Sequence, residues 1–392
     1  MRFHRNTHKF HRVLPLSAAI LLSPLMITSL KGVLPSADKL ILCAAEASAQ
    51  LAAGSVYVYS QTAPAEEAVH EEEPSVTEAA APSYLNLDDS FMLSRGELLI
   101  PSAENEELTV PDESTAEAEP YPESLESRDG VISAVTYGFM QGDDYINLDG
   151  GGQVRNVTSL SNDLLIEESR KSVEFKIEKN GEPQILIMHT HETETYEPYS
   201  RNFYDSSFTC RTTDDSKNMA AVGNAIAAQL EAAGIAVIHD VTKHDFPSYN
   251  NSYDRSRVTV QDILKQYPSI KIVLDIHRDA IERADGTRIA PVAEINGRQA
   301  AQVMIISGCD DGTMGMPDFM QNFRFACALQ QQLEADHEGL TRPILFDYRK
   351  YNQDLTTGSV LIEVGGHANS IDEAIYSGEL IGKSLADLFS ST

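Results

Sequence analysis

From about Gly130 onward the sequence predicts an α/β fold, a mostly parallel or mixed sheet with helices on both faces. Two observations carry this. Apolar runs such as "ILIM" and "IKIVLDI" are continuous rather than alternating, as strands covered on both faces must be. Stretches with helical periodicity, several bounded by Ser, Asp or Gly, separate those runs.

The elements follow in order. Gln184–Met188 reads as a buried strand, Ser216–Gly234 as a helix with Ala221, Ile226 and Leu230 on one side, and Ile235–His239 as a strand. Ser256–Tyr267 reads as a helix and Ile270–Ile276 as the next buried strand. Ala300–Ser307 is a strand, Asp318–Asp336 a long helix, Ser359–Gly365 a strand and Ser370–Phe389 the final helix. Residues 129–182 are less regular and form a small accessory or edge segment; 183–392 is the catalytic domain.

The N-terminal part has a different texture. A basic start, "MRFHRNTHKFHRV", precedes the uncharged stretch Leu14–Leu30, long enough for a spanning helix or a signal segment. The charge bias puts the start in the cytoplasm and everything after Lys31 outside. Residues 1–31 therefore read as a cytoplasmic tail and membrane anchor, with a cleaved signal as the alternative. Residues 32–128 read as a disordered spacer: from Ala65 to Ser127 there are eighteen Asp and Glu against one Arg, with abundant Pro, Ser and Ala. The net charge is −29, and no basic cluster suggests nucleic acid. The four cysteines have no metal-like spacing, so buried free thiols are expected; the pairing considered is Cys210 with Cys309 or Cys327.

Three strands end in residues that a core has no use for: "HTHETE" after "ILIM", "HRD" after "IKIVLDI", and "EVGGH" out of "SVLI". In open α/β sheets, sites gather at the carboxyl ends of strands. Hydrolytic zinc sites take three His or carboxylate ligands and leave one position open. His191 and Glu194 form a compact pair, and His277 can supply the third ligand. Asp214 or Asp215 is the alternative to Glu194. Glu363 is the candidate general base. His189 is either a ligand in place of His191 or a supporting or substrate group. Asp279 is expected to orient His277, and Arg278 to pair with Asp279 or hold a substrate carboxylate. Glu192 is expected to be solvated, His239 and His244 to be structural or at the surface, and His367 is left open.

The motifs "ILIMHTHETETYEPY", "YNNSYDRSRVTVQDIL", "IVLDIHRDA" and "RKYNQDLTTGSVLIEVGGHANSIDEA" resemble those of the stage II sporulation protein P family. The resemblance runs from about Gly151 to the C-terminus. It implies a phosphorylase/hydrolase-like α/β fold and a zinc-dependent N-acetylmuramoyl-L-alanine amidase of peptidoglycan, with additional endopeptidase activity. It also implies a single-pass membrane protein at the sporulation septum that works during engulfment with stage II sporulation proteins D and M. Carried over, its HTHxxE element falls on His189, His191 and Glu194, its DIHRD element on Asp275 to Asp279, and its EVG element on Glu363. The segment "GCDDGTMGMPDFMQNF" departs from the family, which usually has an asparagine–tryptophan pair there, and is expected to alter substrate contacts. The expected groove beside the metal is lined by Tyr196, Tyr199, Arg255 and Arg257. Two other functions remain open: a zinc carboxypeptidase or endopeptidase on stem peptides, and a catalytically silent envelope scaffold.

Overall fold

The computed structural model describes residues 118–390. The expected anchor and most of the spacer lie outside them. Among the described residues, no helix is long and apolar enough to cross a membrane.

Eight strands form the main sheet, in the order β2 (Tyr145–Asn147), β3 (Gln153–Asn156), β11 (Ile344–Asp347), β10 (Val303–Gly308), β12 (Gly358–Gly366), β7 (Ile272–Asp279), β4 (Ile185–Met188) and β6 (Val237–His239). The last four run parallel, and β10 lies antiparallel to β12, so the sheet is mixed. A second sheet of four strands orders β5 (Phe203–Tyr204), β1 (Gly130–Val135), β8 (Arg288–Ile295) and β9 (Arg298–Ala301). The edge segment read from sequence is thus divided: β1 joins the small sheet, while β2 and β3 extend the large one.

Five helices complete the described fold: α1 (Asn162–Ser169), α2 (Met219–Ala232), α3 (Ser252–Gln266), α4 (Phe319–Asp336) and α5 (Ile371–Leu388). Their starts follow local chemistry. The Asn218 side chain caps α2 by accepting from the backbone of Ala220, and Ser370 with Glu373 forms a capping box on α5. One core joins Ile185, Ile187, Leu274, Ile276 and Ile362 of the sheet to Ile226, Phe323, Phe325, Ile381 and Leu385 of α2, α4 and α5. The alternate residues Leu186, Met188 and Val273 face the other way and pack against Val260 of α3.

Two sequence expectations change. The apolar run at 300–307 is two strands in two sheets, broken at Gln302, whose side chain donates to the carbonyls of Tyr137 and Gly339 and accepts from the Tyr137 amide. The strand at 270–276 continues to Asp279, so "HRD" lies within β7 rather than after it.

The end of the compositional spacer is also ordered. The Glu119 carbonyl accepts from the Thr213 amide and the Thr212 hydroxyl. The Tyr121 hydroxyl donates to the Tyr196 carbonyl at 2.8 Å, and its ring meets Phe208 edge-on. Leu125 is buried with Phe208 and Cys210. Residues 119–128 therefore form a strap across the loop that runs from β5 to α2.

Candidate metal centre

Beyond β4 the chain turns, with the Glu194 amide donating to the His191 carbonyl, so residues three apart face one another. The turn is held from outside: Thr195 donates its amide to Cys210, and Thr212 donates to Thr193. His277 arrives from β7, two residues past the level of Met188, whose partner is Asp275. Among the described residues, His191, Glu194 and His277 form the one group of three whose ligand atoms all lie within 4.8 Å, and all three residues are buried.

The geometry suits a small cation. Nδ1 of His191 is 3.8 Å from Glu194 Oε1, and Nδ1 of His277 is 3.7 Å from Oε2. Tetrahedral zinc with bonds near 2.1 Å sets its ligands about 3.4 Å apart, so a small closing movement suffices. Each outer nitrogen is already committed. Nε2 of His277 donates to Asp275 Oδ1 at 2.8 Å, and Nε2 of His191 lies 3.0 Å from Ser252 Oγ. Such partners turn the Nδ1 lone pairs toward the space between the three residues, where a cation could sit, and fix the rings. Asp275 is itself anchored by the amide and hydroxyl of Thr190.

The electrostatics agree. Burial pushes the His191 pKa down to about 3, leaving it neutral and able to donate a lone pair. Burial also disfavours a charged His277, but Asp275 and Glu194 outweigh it and hold its proton affinity well above the ordinary range. That pull marks a point where positive charge is stabilised. For Glu194, burial opposes the charge, yet Arg278 and the two histidines keep its carboxyl below the usual carboxylate range.

Glu363 of β12 stands opposite His277 of β7 in register, so both side chains leave the same sheet face. Its Oε2 is closed off from solvent and has no hydrogen-bond partner. Burial, with Asp279 beside it, pushes the Glu363 carboxyl up to about 8. A carboxyl oxygen without a partner beside the candidate ligand group, with its proton affinity raised, is placed to take up and give back a proton.

The remaining sequence candidates fall outside the cluster. His189 is fully buried behind it, with Nδ1 donating to the Ile276 carbonyl at 2.9 Å and Nε2 lying 2.8 Å from Nε2 of His239. His244 meets the His189 carbonyl and Thr259, which agrees with a structural role. Asp214 closes a turn with Ser216, and Asp215 pairs with Lys243 at 2.8 Å; neither reaches the ligand group. The ring of His277 is oriented by Asp275, not Asp279: both lie two residues from His277 on its face of the strand, but Asp275 takes the Nε2 hydrogen bond at 2.8 Å, while Asp279, at the strand's end, pairs with Arg342 at 3.0 Å. Arg278 donates to the carbonyls of Thr195 and Cys210 beside Glu194 and so braces the turn. Glu192 is buried rather than solvated, accepting from Asn218 at the start of α2, and burial raises its pKa to about 9. His367 is buried near Arg278, Arg288 and Glu194.

The expected groove is also redrawn. Tyr196 is wholly buried, Arg255 holds backbone carbonyls and Arg257 pairs with Asp354. The aromatic residues at the site are instead Tyr249, stacked on His191 at 4.5 Å, and Tyr253, which meets His191 edge-on and lies beside Tyr351. The segment after Gly308 leaves β10 at the end of the sheet away from the site, because Glu363 pairs with Met304 near the start of that strand. Of the residues whose roles sequence reasoning missed, Asp275 stood in the DIHRD element two before His277, and Tyr249 and Ser252 stood in the motif "YNNSYDRSRVTVQDIL", but nothing local in that motif tied them to His191.

The family model for stage II sporulation protein P (SpoIIP) matches residues 100–389. Stage II sporulation protein P of Bacillus subtilis (strain 168) is 30% identical over 219 residues, which are 53% of this chain and 50% of the relative. The chain thus spans about half the length of that curated relative. Among solved structures, the N-acetylmuramoyl-L-alanine amidase AmiC2 of Nostoc punctiforme aligns at 11% identity over 53% of this chain and 96% of its own, with a TM-score of 0.33. The CwlD amidase from Clostridioides difficile, in complex with the GerS lipoprotein, aligns at 11% identity over 53% and 100%, also with a TM-score of 0.33. On the match over residues 100–389, which covers most of the sequence, this chain belongs to the stage II sporulation protein P family.

Proposed function

We propose that the chain is a zinc-dependent peptidoglycan hydrolase that cleaves the amide between the glycan lactyl group and the L-alanine of the stem peptide. The observation that carries this reading is the buried His191–Glu194–His277 group with Glu363 in register beside it, at the carboxyl ends of parallel strands. Family membership supports the setting. The same reading extends to a membrane-anchored enzyme at the sporulation septum, working with stage II sporulation proteins D and M.

His191, Glu194 and His277 hold the zinc, and their chemistry fits it: two imidazoles with committed outer nitrogens and one ionised carboxylate. Held there, the ion would supply Lewis acidity for the scissile carbonyl. Glu363 takes a proton from the attacking water and returns it to the departing L-alanine nitrogen, which could not otherwise leave as an anion. Asp275 keeps His277 oriented, and Arg278 keeps Glu194 charged and in place. Burial and the negative charge of Asp279 raise the affinity of Glu363 for the proton in transit, and Arg342, paired with Asp279, tempers that effect.

The test is incubation of the full-length chain with purified peptidoglycan, with and without a chelator, and mass spectrometry of the released products. Free stem peptides beginning with L-alanine, lost with the chelator, are the expected result. Release of terminal residues or cut cross-links alone would replace the amidase with a peptidase.

A further inference from the structure

Cys210 stands in the loop between β5 and α2 with a φ of 55°. A non-glycine residue in the left-handed region is strained, and it persists only where its surroundings over-determine it. What that conformation achieves is visible at the Cys210 carbonyl. The one oxygen accepts from the Thr195 amide at 3.0 Å and from Nη2 of Arg278 at 2.9 Å. Both donors hold Glu194. Thr195 follows it in the chain, and Arg278 lies 3.7 Å from its Oε1 while also donating through Nε to the Thr195 carbonyl. A strained residue outside the metal group thus supplies the acceptor on which the Glu194 turn is braced.

Cys210 is in turn held by the strap. Leu125, Phe208 and Cys210 form a buried cluster, with Tyr121 packed against it. Two sets of bonds run from this cluster to the metal turn. In the first, the Glu119 carbonyl accepts from the Thr213 amide at 2.7 Å and the Thr212 hydroxyl at 2.7 Å, and the Thr212 amide donates to the Thr193 carbonyl at 2.8 Å. In the second, the Tyr121 hydroxyl donates to the Tyr196 carbonyl, and Arg201 fastens the strap by donating to the Leu125 carbonyl. The strap therefore reaches the turn at Thr193 through Thr212 and just beyond it at Tyr196, and it buries the residue that braces the middle. No step of amide cleavage calls on residues 119–128 themselves.

Resting on the metal reading of His191, Glu194 and His277, we infer that the strap positions the zinc group. Tyr121 and Leu125 hold Cys210 in its left-handed conformation, Cys210 holds Thr195 and Arg278, and these hold Glu194. Residues 119–128 lie at the end of the acidic stretch that begins at Ala65. Anything that binds, cuts or displaces them therefore lowers the affinity for zinc. Linkage makes the effect reciprocal, so zinc tightens the strap by the same factor.

The test titrates full-length variants with Zn²⁺ in competition with a chromophoric chelator. Tyr121→Ala and Leu125→Ala are expected to bind zinc about tenfold more weakly than wild type, the lower end of what loss of a ligand's supporting residue does. Tyr121→Phe keeps the ring and loses only the hydroxyl, so its affinity is expected to fall between. A second measurement needs no variant to fold. In the wild-type chain, zinc is expected to slow hydrogen exchange across peptides from 119–128 more than across α1, read by mass spectrometry. Unchanged zinc affinity in variants that stay folded by circular dichroism would overturn the inference and leave the metal group standing. So would exchange that zinc leaves untouched in the strap, or slows equally in the strap and α1. A wild-type chain that takes up no zinc would remove the metal reading and this inference together.

Discussion

Ser252 Oγ lies 3.0 Å from Nε2 of His191, so the first residue of α3 orients a member of the candidate metal group from the turn after β4. Losing such a partner typically weakens metal binding by about 10–100-fold. Ser252→Ala should therefore reduce zinc affinity within that range, measured by competition with a chromophoric chelator, while the melting temperature changes little. Unchanged affinity would mean that stacking on Tyr249 alone holds the ring.

Glu363→Gln keeps the shape of the side chain and removes its basicity. Proton transfer by a positioned side chain contributes about 10²–10⁴-fold, so kcat should fall by that factor. Zinc content should be unchanged, because Glu363 lies outside the ligand group. A variant that loses zinc would show that this carboxylate is itself a ligand.

Gly223 lies inside α2, where alanine would ordinarily be favoured by roughly 0.5–1 kcal/mol. Here an added Cβ would meet Nε2 of His239 at 2.3 Å and Nε2 of His189 at 2.8 Å. His189 is fastened to the Ile276 carbonyl on its far side and has nowhere to retreat. Gly223→Ala should destabilise the protein by about 1–3 kcal/mol, the usual cost of overpacking, read by urea denaturation. A stabilised variant would show that the histidine pair can separate freely.

The thiols should be silent. Cys210, Cys309 and Cys327 are buried and free. Burial raises all three pKa values, with Cys309 pushed up to about 12 by burial and nearby aspartates. Since the thiolate is the reacting form, raising pH from 7 to 9 should increase native alkylation little. Denaturant should release all three, read by mass spectrometry of the labelled peptides so that they are counted apart from Cys43. Rapid labelling of any of the three in folded protein at pH 8 would contradict this.

The strap gives the fifth expectation. Tyr121 contributes an edge-on contact with Phe208 and a hydrogen bond to Tyr196, and Glu119 ties down Thr212 and Thr213. Tyr121→Ala should lower stability by about 1–2 kcal/mol, the value of partial aromatic burial and a lost contact. In a matched pair of fragments, one beginning at Ala118 should melt higher than one beginning at Gly130. Equal melting temperatures would make the strap a passive appendage.

Much of this was legible in the sequence. Continuous apolar runs located β4, β7 and β12, and the polar residues that broke those runs included each member of the metal group and Glu363. The helix starts at Ser370 and near Asn218 were written in capping chemistry. What escaped was set by tertiary placement. Strand β8 contains Pro291, and its sequence "RIAPVAEI" lacks a clean period. The role expected of Asp279 went to Asp275: both share a face with His277 on β7, and only the placement of Arg342, which takes Asp279, separates them. Tyr121 and Leu125 sit in a stretch whose composition reads as spacer, since two or three buried side chains cannot outweigh the surrounding acids in any compositional average. Glu192, between two site residues in the motif, looked exposed, although its carboxylate caps the space above α2.

The pairing of Glu363 with His277 also makes the chemistry a matter of parity. Successive residues of a strand alternate faces, so inserting one residue in β12 ahead of Glu363 would send that carboxylate to the side packed by α2, α4 and α5 and present Ile362 or its equivalent to the metal. Inserting two would restore the face and shift the carboxylate along the strand by one pleat. In β12, therefore, the chain can drift only in even steps, and an odd one leaves a folded protein with Glu363 on the face of the sheet away from His277.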